Sequence, residues 1–321
     1  MDQLNAAQVE ASLENALTEF DQSFEKKEYP AFVLPEFVPI ESVGGYGGRY
    51  SQYGELDGRG DLDDGLIGDS TSSTETVDVN VEMIESPIKT WAKSTQWNIQ
   101  ALYEAQEAGL PLDTWKLENL RNNAMQTLQK VGFKGHVRDN RLQGLLNNSK
   151  IGVSNIVPTK PLDQMTGEEL RAFFVSIFKA GYSKSGANLV PDTLAIDAVD
   201  LMTLRTITAS NIITTDGGYT SALTQIEAAL SDIAGRAVSI KGIPNNFAQK
   251  AGADGVKSRA VVYTNESDML RMNVPVMPEN LGDLIRKNVL TFESTLYMRF
   301  GGVDIRQPDL VSYVDYSSTA P

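Results

Sequence analysis

The 321-residue chain contains no cysteine and a single histidine, His136. Without cysteine it can form no disulfide, thiolate metal site, iron–sulfur cluster or thiol nucleophile. A metal site built on two histidines is excluded as well, and a Ser-His-Asp triad would have to use His136. These absences remove much hydrolytic and redox chemistry, so the composition argues against an enzyme. We expect no catalytic residues, no cofactor and no tightly held metal.

Long apolar runs are also missing. No stretch of about 18 apolar residues occurs, so the sequence predicts no membrane-spanning helix. Residues 1–30 carry acidic residues throughout and lack the apolar core of a secretory signal. We therefore expect a protein that is made and kept in a cytosol-like compartment.

Positive charge is scarce: 28 Lys and Arg stand against 42 Asp and Glu, a formal charge of −14. This balance disfavours a protein that reads nucleic acid or binds an anionic membrane. Residues 41–80 contain nine acidic residues, two arginines and no lysine, so they carry seven (9 − 2) of the negative charges. The segment from Lys116 to Arg141 is locally basic. The chain therefore has an acidic segment and a basic segment.

The first third of the chain predicts an arm and a hairpin. Helical spacing of Leu13, Leu17, Phe20 and Phe24 predicts a helix, and the prolines of AFVLPEFVPI predict an extended strap after it. Residues 41–80 are rich in glycine and poor in apolar side chains, so they cannot form a core. Tyrosines at the start and alternating valines at the end of this segment predict a long two-stranded excursion.

The remainder predicts an α+β protein. A strand–helix unit or a single helix follows from Trp91 to Ala108, and then a longer helix with Asp113 as N-cap and Gly132 at its end. Thr166 and Glu169 form a capping-box pattern. DTLAID, AVSIKGI and RAVVYT predict strands, and the tail predicts two strands around a Gly301-Gly302 turn or bulge.

No chemical motif is convincing. GGYGG, at 44–48, lacks the lysine and the following helix of a phosphate loop, and a flexible hairpin is the simpler interpretation. DGRGDLDDG, at 57–65, does not fit the EF-hand spacing, although a loose surface Ca²⁺ or Mg²⁺ site is left open. Its Arg-Gly-Asp tripeptide is too short to indicate adhesion. His136 lies in a glycine-bounded basic loop and is interpreted as an exposed loop histidine.

Several stretches, read in order, carry a resemblance to a known family. LPLDTWKLENLRNNAMQTLQKVGFKG with GLLN after it, RAVVYTNESDMLRMNVPVMPENL, and RFGGVDIRQPDLVSYVD resemble the major capsid proteins of tailed bacteriophages with the Hong Kong 97-type fold. The first resembles the long spine helix of that fold, the second a late axial-domain strand, and the third the closing strands of the peripheral domain. The resemblance covers almost the whole chain.

The resemblance implies an organisation and a function. It implies an N-terminal arm (1–40), an extended loop across an adjacent subunit (41–80), a peripheral domain with the spine helix (81–157), an axial domain (158–289) and C-terminal strands returning to the peripheral domain (290–321). The implied function is self-assembly, as pentamers and hexamers, into an icosahedral shell around double-stranded DNA. Portal, scaffold and decoration proteins would be partners, and the protein would be made in the bacterial cytoplasm and reside in the virion.

One departure from the family pattern is informative. Some members cross-link their subunits covalently through an isopeptide bond from a lysine of the extended loop. This chain has no lysine between Lys27 and Lys89. We therefore expect a non-covalent shell in which the acidic loop contacts a basic surface. The candidate intersubunit contacts are Tyr46, Arg49, Tyr50, Asp57, Arg59, Asp61, Asp63 and Asp64 in the loop, and Lys130, Lys134 and Arg138 in the basic segment.

Two other classes stay open. A cellular protein compartment with the same fold would enclose an enzyme rather than a genome. A soluble enzyme or adhesin is the other alternative, and the scarcity of histidine and cysteine weighs against most enzymes.

Overall fold

The computed structural model describes residues 29–57, 80–107, 112–158, 160–213, 219–282 and 285–318. The predicted arm helix, with Leu13 and Phe24, and the tip of the predicted hairpin lie outside these residues. Contacts divide the chain after Pro30, and the residues from Ala31 onward form one unit.

Helices and strands alternate along the described chain. The helices are α1 (Leu34–Phe37), α2 (Ile99–Glu107), α3 (Leu112–Lys134), α4 (Gly167–Lys184), α5 (Ala198–Thr206) and α6 (Ala222–Ala234). The strands are β1 (Ile40–Glu41), β2 (Tyr50–Asp57), β3 (Asn80–Pro87), β4 (Lys89–Asn98), β5 (Thr193–Asp197), β6 (Thr208–Ile213), β7 (Tyr219–Ser221), β8 (Ser239–Ile243), β9 (Ser258–Tyr263), β10 (Leu270–Asn273), β11 (Val276–Asn280), β12 (Ile285–Asn288), β13 (Thr291–Phe300), β14 (Val303–Ile305) and β15 (Ser312–Tyr316). This mixture confirms the predicted α+β class.

The strands form three sheets and two hairpins. In one sheet β13 is central, with β4 along one side and β11 and β12 along the other. A second sheet has the order β15-β9-β5-β8, and a third has the order β1-β10-β14. Strands β2 and β3 pair in an antiparallel ribbon, as do β6 and β7. The β2–β3 ribbon confirms the predicted two-stranded excursion.

Two hydrophobic clusters lie beneath these sheets. The first gathers the buried face of α3, including Leu128 and Val131, with apolar residues of β10, β13 and β14. The second lies between α4, α6 and the β15-β9-β5-β8 sheet and includes Phe174, Phe178 and Leu230. The capping box of α4 is present as predicted: Thr166 accepts from the Glu169 N–H and the Glu169 carboxylate accepts from the Thr166 N–H.

The strap after the arm differs from its prediction. AFVLPEFVPI is not extended throughout, because Leu34–Phe37 form a short helix with Pro35 in its first turn, where a proline is tolerated. Leu34, Phe37 and Val38 are buried in the first cluster. The Val33 N–H also donates to the side-chain oxygen of Gln129 at 2.9 Å. Burial of these apolar residues therefore outweighs the extended preference of the prolines.

The ends of the long helix also differ from their predictions. Helix α3 begins at Leu112, so Asp113 is a helical residue rather than the N-cap. Gly132 does not end the helix; a Cβ there would lie 2.5 Å from the side chain of Leu34, so glycine permits close packing of α1. The helix ends two residues later, before Gly135, which has a φ of +68°.

The strand pairing of the C-terminal tail also differs from its prediction. Strands β13 and β14 flank Gly301 and Gly302 but do not pair with each other, because β14 pairs with β10. Strand β15 follows and pairs with β9. The tail thus contributes one strand to each of the three sheets, and Gly302 permits the crossing: a Cβ there would lie 2.8 Å from the Gln143 carbonyl oxygen.

Candidate intersubunit surface

The β2–β3 ribbon has one face on the body of its own subunit and one face toward solvent. Directly opposed residues share a face, so Tyr53 and Ile84 lie on one side while Gly54 and Met83 lie on the other. The first face is partly buried. The second exposes Tyr50, Val81 and Met83 by 53%, 58% and 60%. The subunit therefore leaves an apolar ribbon face without cover from the described residues.

Strand β14 and the residues just after it hold the inner face of the ribbon. The Ser86 hydroxyl donates to the buried carboxylate of Asp304. The Arg306 guanidinium lies over the Tyr53 ring, 5.1 Å from its centroid. Burial raises the pKa of Asp304 and, together with the Asp304 and Glu55 charges, raises the pKa of Tyr53. These contacts fix the direction in which the ribbon leaves the body.

Arg299 of β13 fixes the glycine-rich turn before the ribbon. Its buried guanidinium donates to the carbonyl oxygens of Gly45, at 3.1 Å, and of Tyr46 and Gly48. Tyr46 stacks on Tyr297, with 6.0 Å between the ring centroids. GGYGG is therefore an anchored turn rather than a flexible hairpin. Its positive φ values at Gly44 and Gly45 let the backbone fold around the guanidinium.

Replacing Arg299 by alanine should loosen this turn without unfolding the protein. The variant leaves three carbonyl groups without their charged donor, and hydrogen bonds to a charged group contribute about 1.5–3 kcal/mol. We expect faster amide hydrogen exchange in a peptide covering 41–50. Arg286→Ala is the matched control, because Arg286 holds two carbonyls of the exposed 288–289 turn. Unchanged exchange over 41–50 in Arg299→Ala would contradict the assigned role.

The end of α3 and the loop after it form a basic surface. Lys130 and Arg138 are exposed, and Lys134 is half-buried. Burial, and then the charge of Lys130, lower the pKa of Lys134. Hydrogen bonds from Arg141 and Lys89 hold the pKa of Asp139 well below its usual range. The Asp139 carboxylate is thereby engaged within the loop.

The end of the ribbon that joins the body, residues 46–53 and 84–87, is called the ribbon root, and it lies beside this loop within one subunit. A cavity of about 300 Å³ lies between them, lined on the ribbon side by Tyr53 and Ser86 and on the other side by Arg141, Lys150 and Asp304. His136 belongs to the same loop, where its Nδ1 accepts from the Arg138 N–H at 3.2 Å. The histidine is partly buried rather than exposed as predicted, and it helps to shape the basic loop.

The predicted contact residues fall into three groups. Tyr46, Arg49 and Tyr50 are exposed at the ribbon root. Lys130, Lys134 and Arg138 lie on the basic surface. Asp57 ends β2, and the remaining predicted contacts lie outside the described residues: Arg59, Asp61, Asp63 and Asp64.

Sequence reasoning missed the residues that hold the ribbon in place. Arg299, Arg306 and Asp304 lie between 218 and 254 positions from their partners in the glycine turn and the ribbon. No local spacing connects them, because the connection exists only through the sheets. Asn273 was missed for the same reason; its side-chain amide makes two 3.0 Å hydrogen bonds with the backbone of Val43.

The described residues contain no cluster of three or more acidic or histidine side chains that could hold a metal ion. Among the described helices, none has the length and the apolar character that a membrane crossing requires.

Solved structures from phages and of a virus-like particle share this fold. The capsid of Myoviridae phage XM1 matches 98% of this chain and 99% of its own with a TM-score of 0.77 and 14% identity. The structure from Mycobacterium phage Bobi covers 98% and 99% with a TM-score of 0.62 and 12% identity. A virus-like particle from Pyrococcus furiosus covers 87% and 90% with a TM-score of 0.50 and 13% identity. The fold is the Hong Kong 97-type capsid fold.

The family assignment rests on the sequence. The profile of the major capsid protein family matches residues 63–316, which is most of the chain. A comparison with curated protein sequences finds no match. The chain belongs to the major capsid protein family, and the predicted resemblance is confirmed. This membership indicates a structural protein of the virion that self-assembles into a phage-type shell.

Proposed function

We propose that pentamers and hexamers of this chain form an icosahedral shell around the double-stranded DNA of a tailed bacteriophage. The family match over residues 63–316 carries the proposal. The apolar outer face of the β2–β3 ribbon, which the described residues leave exposed, supports it, because an exposed apolar patch is typical of a protein–protein contact. In a shell, a neighbouring subunit would cover that face.

In this proposal each segment has a place in the shell. Residues 1–40 act as the N-terminal arm and 41–80 as the extended loop. Residues 81–157 and 290–321 form the peripheral domain, and 158–289 form the axial domain near the centre of each capsomer. Portal, scaffold and decoration proteins would complete the particle, assembled in the bacterial cytoplasm.

Electron microscopy of the purified protein tests the assembly directly. Closed icosahedral particles support the proposal, and a uniformly monomeric protein under all assembly conditions contradicts it. Nuclease-protected DNA in particles from infected cells then separates a viral shell from a cellular compartment. The compartment is kept as a second candidate because the fold also matches the virus-like particle from Pyrococcus furiosus.

The shell should be held together without covalent bonds between subunits. No lysine lies between Lys27 and Lys89, so residues 41–80 offer no amine for an isopeptide bond. Intact particles boiled in SDS should therefore run as monomer on a reducing gel. A ladder of multimers under the same conditions would show that subunits are covalently cross-linked through other residues.

The acidic loop should pair with the basic surface of a neighbour. Lys130→Glu, Lys134→Glu and Arg138→Glu together should slow assembly at low salt and leave the subunit folded, because exposed charge pairs each contribute under about 1 kcal/mol but orient the encounter. Light scattering measures the rate. Arg171→Glu, Lys179→Glu and Lys250→Glu form a control with the same change in net charge at exposed positions. Equal rates in the two triple variants would rule out local pairing.

A further inference from the structure

Two buried carboxyl groups lie at the start of α5. Asp197 is the N-cap of this helix, Asp200 follows three residues later, and both residues are fully buried. Burying an ionised carboxyl group is costly unless a cation or several hydrogen-bond donors compensate its charge. The pair therefore needs either compensation for both groups or a proton on one of them.

Asp200 holds the end of the chain. It accepts a hydrogen bond from the Tyr316 hydroxyl at 2.7 Å and from the Ser318 hydroxyl at 2.8 and 2.9 Å. Tyr316, on β15, is 1% exposed, and its hydroxyl oxygen also accepts from the Asp197 N–H at 3.3 Å. The last described residues are thus bound to the start of α5.

Asp197 has fewer donors than its neighbour. Its Oδ1 accepts from the Val199 N–H at 2.9 Å and from the side-chain amide of Gln249 at 3.4 Å. Its Oδ2 is buried and has no hydrogen-bond partner among the described residues. Burial raises the pKa of Asp197, the Val199 hydrogen bond opposes this, and the charge of Asp200 raises the pKa further. When two carboxyl groups have such unequal environments, the less solvated one keeps the proton.

No lysine or arginine of the described residues compensates a charge on Asp197. Helix α6, which packs on α5, contains no cation. The cations of the other adjoining elements are exposed or held by other groups: Arg205, Lys241, Lys250 and Arg259. The acids of these elements are likewise exposed or bound elsewhere: Asp163, Glu227 and Asp232. The titratable groups that face Asp197 are therefore Asp200 and Tyr316, neither of which can carry a positive charge.

The turn that supplies Gln249 also reaches the long helix α3. In this turn the Asn245 amide donates to the side-chain oxygen of Gln126 at 3.1 Å. Phe247 stacks on Phe133, with 5.7 Å between the ring centroids. The Asp197 carboxyl group therefore lies where the C-terminal strand, the start of α5 and the 244–251 turn meet.

From these contacts we propose that Asp197 is a proton-binding site, and that its neutral carboxyl group holds together the C-terminal strand, the start of α5 and the 244–251 turn. With the proton bound, the Tyr316 and Ser318 hydroxyls have only one carboxyl group to solvate. Loss of the proton would put a second negative charge into the same buried site. Water would then have to reach Asp197, so the three segments would loosen.

The bound proton makes folding depend on pH with a definite sign. In the unfolded chain an aspartate loses its proton near pH 4. In the folded chain the proton stays to a higher pH, because the pKa of Asp197 is raised. The stability that the site contributes is therefore complete below about pH 4 and is lost as the pH rises through the folded value. Across that interval one proton changes the unfolding constant by about tenfold per pH unit.

Asp197→Asn tests the site in the full-length, unassembled subunit. Asparagine is also a good N-cap and has no proton to lose. Urea unfolding gives the unfolding constants of the unmodified chain and of the variant. We expect the ratio of the first to the second to rise by about tenfold or more between about pH 4 and pH 8.

Asp254→Asn is the matched control. The Asp254 carboxylate also accepts two backbone N–H groups, at 2.8 and 2.9 Å, but it is exposed. These hydrogen bonds lower the pKa of Asp254. Because the shift is opposite in direction, the corresponding ratio for this variant should not rise with pH.

Amide hydrogen exchange shows where the effect lies. After correction for the intrinsic rate, peptides covering 196–203, 245–252 and 312–318 should lose protection as the pH rises in the unmodified chain, and keep it in Asp197→Asn. Asp200→Asn is a second test, should Asp197→Asn fail to fold: without the neighbouring charge the pH dependence should become smaller. A ratio that does not change with pH in the variant that folds would overturn the proposal. Subunits are measured before assembly, so the result does not depend on the shell function.

Discussion

Replacing Asp315 by alanine is expected to lower the free energy of unfolding of the unassembled subunit by about 3–5 kcal/mol. Asp315, on β15, accepts two hydrogen bonds from the Arg259 guanidinium, at 2.7 and 3.0 Å. The two side chains are only 8% and 10% exposed. Removing the carboxylate leaves a buried cation without its partner, which costs far more than the loss of an exposed ion pair.

The surroundings of this ion pair increase the expected loss. Arg259 also donates to the Leu146 carbonyl at 2.9 Å and lies over the Tyr313 ring. The Asp315 carboxylate accepts from the Ala253 N–H at 2.7 Å. One ion pair thus connects the last strand, strand β9 and the loop that follows α3. Because the tail contributes strands to three sheets, we expect the variant to loosen the whole subunit rather than its end alone.

Urea unfolding of the full-length subunit measures this effect. Asp309→Ala is the matched control, since Asp309 is an exposed acid in the same tail, and its change should stay within about 0.5 kcal/mol. The double variant Arg259→Met, Asp315→Leu should recover part of the lost stability, because it removes both buried charges. A loss below about 1 kcal/mol in Asp315→Ala would indicate that the pair behaves like an exposed one.

Features formed by residues that are close in the sequence could be predicted, whereas features formed by distant residues could not. The capping box of α4 involves residues three positions apart, so its pattern is visible in the sequence. The β2–β3 ribbon is predictable because its alternating pattern is continuous. The strap was predicted wrongly because its short helix depends on contacts with Gln129 and Gly132, about a hundred residues away.

The candidate intersubunit surface also combines features that depend on neighbouring residues with features that depend on distant ones. Composition alone identifies the acidic segment and the basic segment. The anchoring of the glycine turn by Arg299 depends on a sheet register that no local pattern reveals. The position of β4 beside β13, its one partner among the described strands, likewise becomes visible only in the sheet topology. The sequence therefore locates the acidic segment and the basic segment. The structure is needed to show which of their residues already form contacts within the subunit.

The segment GLLN, residues 144–147, packs against the end of the long helix α3, which explains why it follows that helix in the sequence. The chain turns at Gly135 and returns so closely that a Cβ on Gly144 would lie 2.5 Å from the Gly135 nitrogen and 2.6 Å from the Phe133 carbonyl carbon. Leu145 and Leu146 are buried in the first cluster and donate their N–H groups to α3 carbonyls. The Asn147 amide donates to the Lys134 carbonyl at 2.8 Å and accepts from the Gly144 N–H at 2.7 Å.

Gly144→Ala should therefore destabilise the subunit by about 3 kcal/mol, because its methyl group would meet backbone atoms that cannot move aside without breaking the end of α3. Gly152→Ala is the control in the same loop: a Cβ there has no neighbour within 4 Å, and the change should stay within about 0.5 kcal/mol. Urea unfolding compares the two variants with the unmodified subunit. Equal stability of Gly144→Ala and Gly152→Ala would mean that the returning loop does not constrain the helix end. The expected difference would instead show that GLLN marks the place where the basic surface is fixed to the core.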